Sequence, residues 1–219
     1  MKIARLPSKR KNNVILWILV IGLPILVYAS YQAVQLITKA SGDTQPKNLV
    51  ISNLSTSSAT ISWVTEASVK GSVIPILGGN EKSPVVDKRG NENRNTHYVE
   101  LTSLEPNTKY DFKIVSGSDE YASLDNVTMS FKTAPITAGT PTPNPIHGTV
   151  SGSSGDDVIV YAMLKDKSVY PVSAVIPSGG NWITDLSAFR NISDYSLVLT
   201  ENTTNLVLVS VGGPDKGAV

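Results

Sequence analysis

The chain of 219 residues contains no cysteine and only two histidines. Without cysteine there is no disulfide, no thiolate metal site and no lipid-bearing thiol, so exported domains must rely on their apolar cores. His97 and His147 are too few for a two-metal hydrolytic centre, which gathers several His, Asp and Asn ligands. No G-x-S-x-G precedes a helix, so the nucleophile elbow is missing too. The spaced acids of a calcium loop are absent, and Gly155-Asp156-Asp157 reads as a solvated turn. Basic charge is concentrated at one end. Lys2, Arg5, Lys9, Arg10 and Lys11 take five of the nineteen Lys and Arg, which leaves fourteen against eighteen acids, a net of −4. That balance excludes a nucleic-acid partner, whose phosphates demand clustered cations. No catalytic, cofactor-binding or metal-ligating residue is assigned, and no cofactor is expected.

What is present starts with a run free of charge, Val14 to Ile37. A membrane-spanning helix takes about 20 predominantly apolar residues. The basic tail 1–13 precedes it with no acid, and such flanks stay in the cytoplasm. The expectation is a transmembrane anchor over 14–37, with the N-terminus inside, everything beyond Lys39 outside, and the membrane as a partner through 14–37. Tyr28 and Tyr31 suit the outer interface, and Pro24 is tolerated in a membrane helix. The alternative is secretion after signal cleavage: Val27-Tyr28-Ala29 before Ser30 has the small-residue character of a cut site.

After a linker at 38–46 the periodicity changes to two. Asn48 to Ile51 is a short strand. In Ala59-Thr60-Ile61-Ser62-Trp63, Ala59, Ile61 and Trp63 share a face. His97 to Leu101 alternates, which makes His97 structural. Tyr110, Phe112 and Ile114 point inward from the next strand, and Val127 to Thr133 closes the set. Pro75 interrupts a further strand, Gly71 to Leu77, and marks an edge or a bulge there. Glu81 to Thr96 reads as a loop with one short edge strand. Short strands separated by Gly, Asn, Ser and Pro predict an antiparallel sandwich.

Leu104-Glu105-Pro106-Asn107-Thr108-Lys109-Tyr110 resembles the L-x-P-x-T-x-Y signature of fibronectin type III domains. Trp63 on the second strand and the closing Phe131-Lys132-Thr133-Ala134-Pro135 are similar to that family as well. The resemblance covers residues 47–135. It implies a tyrosine corner, in which the Tyr110 hydroxyl bonds back to upstream backbone. It also makes Trp63, Leu104, Pro106 and Tyr110 structural residues.

Residues 136–145 carry Pro141, Pro143 and Pro145 and predict a semi-rigid extended spacer. Strands return over 146–212: Ile146–Ser151, Val158–Leu164, Tyr170–Ile176, Asn181–Asp185, Tyr195–Glu201 and Asn205–Val211. The opening IHGTVSG, the strand VIVYA and the later GGNWITDLS resemble the carboxypeptidase regulatory-like, or transthyretin-like, β-sandwich. His147, just past the spacer, is expected to be exposed, and 213–219 is a polar tail. Four Asn-x-Ser/Thr triplets matter only in a eukaryotic secretory route, which an exported chain lacking cysteine argues against.

The fold class expected is therefore all-β: two tandem antiparallel β-sandwiches behind one N-terminal transmembrane helix. The function expected is non-catalytic, an anchored extracytoplasmic binding, adhesion or structural module whose partner is an unknown protein or glycan at the cell surface. Two alternatives stand beside it: a subunit of a cell-envelope assembly or surface filament, and an accessory β-domain protein for a hydrolase on another chain. Position in the sandwich makes Gly117 to Asn126, with Ser118, Asp119, Glu120 and Tyr121 at its start, the candidate partner loop at the membrane-distal end.

Overall fold

Alternating apolar side chains build the first sandwich. The structure, a computed structural model, describes residues 43–136, 141–150, 157–177, 179–198 and 205–212. The tail 1–13, the anchor 14–37, most of the linker 38–46 and the tail 213–219 lie outside those residues. Among the described residues no helix is long and apolar enough to cross a membrane. Their regular structure is β apart from short 3-10 pieces, Leu186–Ala188 and Asn205.

The first sandwich runs β1 (Lys47–Ser52), β2 (Ala59–Val69), β3 (Gly71–Leu77), β4 (Asn80–Glu81), β5 (Val85–Val86), β6 (Arg94–Leu101), β7 (Lys109–Ser116), β8 (Asp119–Tyr121), β9 (Ser123–Leu124), β10 (Val127–Thr128) and β11 (Ser130–Lys132). One sheet has the order β1-β2-β6. The other follows β11-β7-β3-β4, with β5 on β3 and β8 on β7. Ile61, Trp63, Val73, Val99, Phe112 and Ile114 fill the space between them. Period-two patterning puts these residues on the inner faces, and burying each is worth about 1.5–3 kcal/mol.

Pro75 keeps its strand. It stands opposite Phe112 in the β3–β7 register, while on the other side β5 pairs with Ser72 and Val73 and β4 with Ile76 and Leu77. The missing N–H thus falls in the gap between the two short edge strands, where no ladder bond is lost. The Pro75 carbonyl accepts from Lys82 N–H at 2.8 Å.

The second group of strands is β12 (Pro145–Thr149), β13 (Val158–Leu164), β14 (Val169–Tyr170), β15 (Val172–Ile176), β16 (Asn181–Asp185), β17 (Arg190–Asn191) and β18 (Leu206–Val211). They form the three-stranded sheet β15-β13-β18 and the pairs β12-β16 and β14-β17. Two sequence expectations need correction. Tyr170–Ile176 is not one strand, because Pro171 has no N–H to give and the run divides there into β14 and β15. Tyr195–Glu201 is not a strand over its described part: Tyr195 adopts a positive φ of 63°, and only an isolated bridge joins Leu197 to Arg190. β17 was not foreseen, since two residues carry no periodicity.

Strand β13 decides the packing. Val158 and Val160 face Trp182 and Ile176, and Ala162 meets Leu186 and Phe189. Its other face, Ile159 and Tyr161, packs on Tyr98 of the first sandwich, with Val50, Met163, Val175 and Val211 around them. The two sheets β1-β2-β6 and β15-β13-β18 therefore lie against each other. This explains why β2 is buried on both faces from Ala59 to Trp63. Alternation alone would leave Thr60 and Ser62 in water. Pro145, the last residue of the expected spacer 136–145, belongs to β12.

Candidate functional site

The contact between the sandwiches sets polar pairs beside its apolar cluster. Ser52 Oγ and Ser173 Oγ are 2.7 Å apart. Asn53 reaches across with its whole amide: Nδ2 donates to the Ser173 carbonyl at 3.0 Å and to Tyr98 Oη at 2.9 Å, and Oδ1 accepts from Ser173 N–H at 2.8 Å. Asn53 N–H also donates to the Pro171 carbonyl at 2.9 Å. The φ of Asn53 is 49°, a left-handed conformation that Asn accepts more readily than most residues. Further along, Ser62 Oγ and Tyr161 Oη lie 2.8 Å apart. At the far end Thr96 Oγ1 donates to the Asp157 carbonyl at 2.8 Å, and the Arg94 guanidinium meets the Asp157 carboxylate at 3.4 Å. Burial pushes the Tyr161 phenol up to about 12 and raises that of Tyr98. Buried polar groups are tolerated only when paired, and these are paired with one another across the seam.

Behind the seam lies a buried ion pair that periodicity did not reveal. Asp87 and Arg89 side chains are 2% and 6% exposed, with Arg89 Nη2 2.8 Å from Asp87 Oδ2. The same carboxylate accepts from Tyr98 N–H at 2.7 Å, and Arg89 Nη2 donates to the Thr96 carbonyl at 2.6 Å. Burial raises the Asp87 carboxyl, but the Arg89 hydrogen bonds and charge outweigh it and hold the group below its ordinary range. The pair sits within the stretch expected as a loop with one edge strand. A sequence signal existed, an acid two residues before an arginine in a turn, but it is too common to single out.

His97 is buried and stacked on Trp63, ring centroids 4.7 Å apart and planes 17° from parallel. Its Nε2 lies 3.1 Å from Thr65 Oγ1. Burial drives its pKa down to about 4, so the ring is neutral. A Cβ on Gly71 would strike His97 and come within 2.8 Å of Trp63 Cζ2, which reserves that position for glycine. His147 is exposed on β12 of the other sandwich, opposite Ile183. The structure does not bring the two histidines together. Among the described residues no three His, Cys, Asp or Glu side chains gather as a metal site. Asp157, the described residue of the stretch Gly155-Asp156-Asp157, is engaged by Thr96 and Arg94.

Of the residues singled out by the family signature, Trp63 and Tyr110 are core, Leu104 packs against the core at its edge, and Pro106 is exposed at the turn. Glu105 N–H donates to Tyr110 Oη at 2.9 Å, the backbone bond that a tyrosine corner requires. The candidate partner loop is largely strand. Asp119–Tyr121 is β8, paired with β7, Ser123–Leu124 is β9, and Gly117–Ser118 and Asp125–Asn126 are turns. Thr44 Oγ1 donates to Asp119 Oδ2 at 2.8 Å and lies 2.9 Å from Tyr121 Oη. The hairpin is therefore fastened to the residue that follows the N-terminal segment.

Residues 44–128 match the Fibronectin type III domain family, which with the geometry above supports a fibronectin type III domain over that stretch. No curated protein sequence matches the chain. Solved structures similar to it include a computationally redesigned β-sandwich protein, with 20% identity, a TM-score of 0.33, and 42% of this chain and 96% of that one covered. The sensor domain of the anti-sigma factor RsgI4 in Pseudobacteroides cellulosolvens is 17% identical, with a TM-score of 0.30 over 45% of this chain and 98% of that one. A two-domain fibronectin type III segment from chicken tenascin is 12% identical, with a TM-score of 0.28 over 77% and 91%.

Proposed function

We propose that the chain is a non-catalytic display block, tethered to a membrane through 14–37, that holds two sandwiches in fixed orientation outside the cytoplasm for a protein partner. Fibronectin type III domains are typically binding or structural modules, and the match over 44–128 supports that part of the reading. The observation that carries it is the seam. Two domains joined by a spacer alone would reorient freely, whereas Asn53, Ser173, Tyr98 and Tyr161 fix one sandwich on the other. Rigid presentation reduces the entropy lost when a partner binds. The tether is supported by the charge-free run behind a basic tail.

The absence of cysteine makes a direct test available. Ser8→Cys and Ser118→Cys, made singly in the full chain, are exposed to a membrane-impermeant maleimide in intact cells. The expected result is labelling of Ser118→Cys from outside, labelling of Ser8→Cys only after lysis, and retention of both in the membrane fraction. A soluble product beginning near Ser30 would establish the secreted alternative, and labelling with the opposite sidedness would invert the topology.

A second reading, self-assembly, is favoured by β18. Leu206–Val211 is an uncharged edge strand that pairs only with β13 among the described residues, and Leu208 is 44% exposed. Sedimentation of the detergent-solubilised chain over a wide concentration range tests it. Concentration-dependent oligomers lost on Leu208→Lys support assembly, and a monomer throughout removes it.

A further inference from the structure

We propose that Arg190, with Tyr170, Tyr195 and Lys132 around it, receives the carboxylate of an acidic peptide side chain. Arg190 is only 8% exposed, yet among the described residues it has no carboxylate within ion-pair reach. Among the described residues its guanidinium makes one hydrogen bond, a long one, 3.4 Å from Nη1 to the Tyr195 carbonyl. None of its other donors is sealed from solvent without a partner, so the rest of the guanidinium fork reaches solvent. A guanidinium carries five donors in a plane and is rarely buried without an anion to meet them. Burial alone accounts for its lowered pKa, which agrees with a missing counter-charge.

The surroundings favour an anion. Arg190 stands opposite Tyr170 in the β14–β17 register, and Tyr170 stacks on Tyr195 with ring centroids 5.9 Å apart. Lys132 Nζ lies over the Tyr195 ring, 5.9 Å from its centroid, and has no acid partner among the described residues. Tyr195 is thus flanked by two cations, and its positive φ of 63° is a strained state for a bulky residue. The nearby carboxylate of Asp194 is turned to Ser196, with Oδ1 2.9 Å from the Ser196 nitrogen and 2.7 Å from its hydroxyl. The protein partner of the display reading supplies that carboxylate from an Asp or Glu side chain. Only the origin of the peptide rests on the display reading above; the binding chemistry is testable without it.

The test uses the full chain in detergent micelles with 15N-arginine labelling, titrated with N-acetyl-aspartate N-methylamide. The expected result is a saturable shift of the Arg190 Nε–Hε signal in the parent chain, and, by isothermal titration calorimetry with the same probe, an affinity about tenfold or more weaker for Arg190→Lys, which loses the bidentate fork. Lys132→Gln is expected to weaken binding by a smaller factor, and added salt to weaken it in the parent chain. Absence of a saturable shift, or equal binding by Arg190→Lys with an unchanged melting temperature, overturns the proposal. Tighter binding of glucuronate than of the peptide probe overturns the peptide assignment. Glu201 lies outside the described residues, and its substitution supplies the remaining control. If Glu201→Gln alone moves the Arg190 signal and strengthens probe binding, the site is filled by the chain's own carboxylate and the proposal fails.

Discussion

Replacing Asn53 by Ala is the sharpest perturbation of the seam. Three costs add. The Ser173 N–H loses its acceptor, Oδ1 at 2.8 Å, in a residue only 6% exposed, and an orphaned buried donor costs about 1–3 kcal/mol. The bonds from Nδ2 to Tyr98 Oη and the Ser173 carbonyl disappear; Tyr98 Oη still serves that carbonyl at 3.1 Å, so the net loss there is about 1 kcal/mol. Alanine at φ 49° pays roughly 1 kcal/mol that Asn largely avoids. The expected loss is about 3–5 kcal/mol, read as a lower urea midpoint for the full chain in detergent. Asn53→Gly removes the backbone term and should recover about 1 kcal/mol. A loss below about 1 kcal/mol for Asn53→Ala would mean that the seam bonds contribute nothing net, and would refute the reasoning.

Other consequences are checked by simpler measurements. Gly71→Ala forces Trp63 and His97 apart and should cost about 1–3 kcal/mol, seen as a lower melting temperature. Arg89→Met strands the buried Asp87 carboxylate and should cost about 3–5 kcal/mol in urea unfolding, part of it regained in the double variant with Asp87→Asn. His97 titrates at about 4 when folded against an ordinary 6.5, so the unfolded chain takes up the proton first as the pH falls. Stability is then full above the ordinary value and declines down to the folded one, by about 3 kcal/mol in all at ~1.36 kcal/mol per pH unit. His97→Gln should flatten that slope, leaving the Asp87 contribution, which is lost only below the ordinary carboxyl range.

Period-two alternation made the first sandwich legible, because Ile61, Trp63, Phe112 and Ile114 sit on inner faces in register with their sequence spacing. The tyrosine corner was legible because its bond spans only five residues. The seam was not. Its partners are separated by long stretches, 120 residues for Asn53 and Ser173 and 99 for Ser62 and Tyr161, and polar side chains on an alternating strand read as solvent-facing until a second sheet is known to cover them. Asp87 and Arg89 were missed for a related reason: nothing in a polar loop announces which charges will be sealed. The contact of Thr44 with Asp119 and Tyr121 was not legible either, because these partners stand 75 and 77 residues apart.

Trp63 and Trp182 lie in the cores of the first and second sandwiches respectively, each buried. With Trp17 replaced by Phe, single-tryptophan versions of the chain report on the two sandwiches separately during urea unfolding. A rigid two-sandwich block predicts superimposable transitions with one midpoint. Two separate midpoints, with one sandwich unfolded while the other keeps its fluorescence, would contradict it.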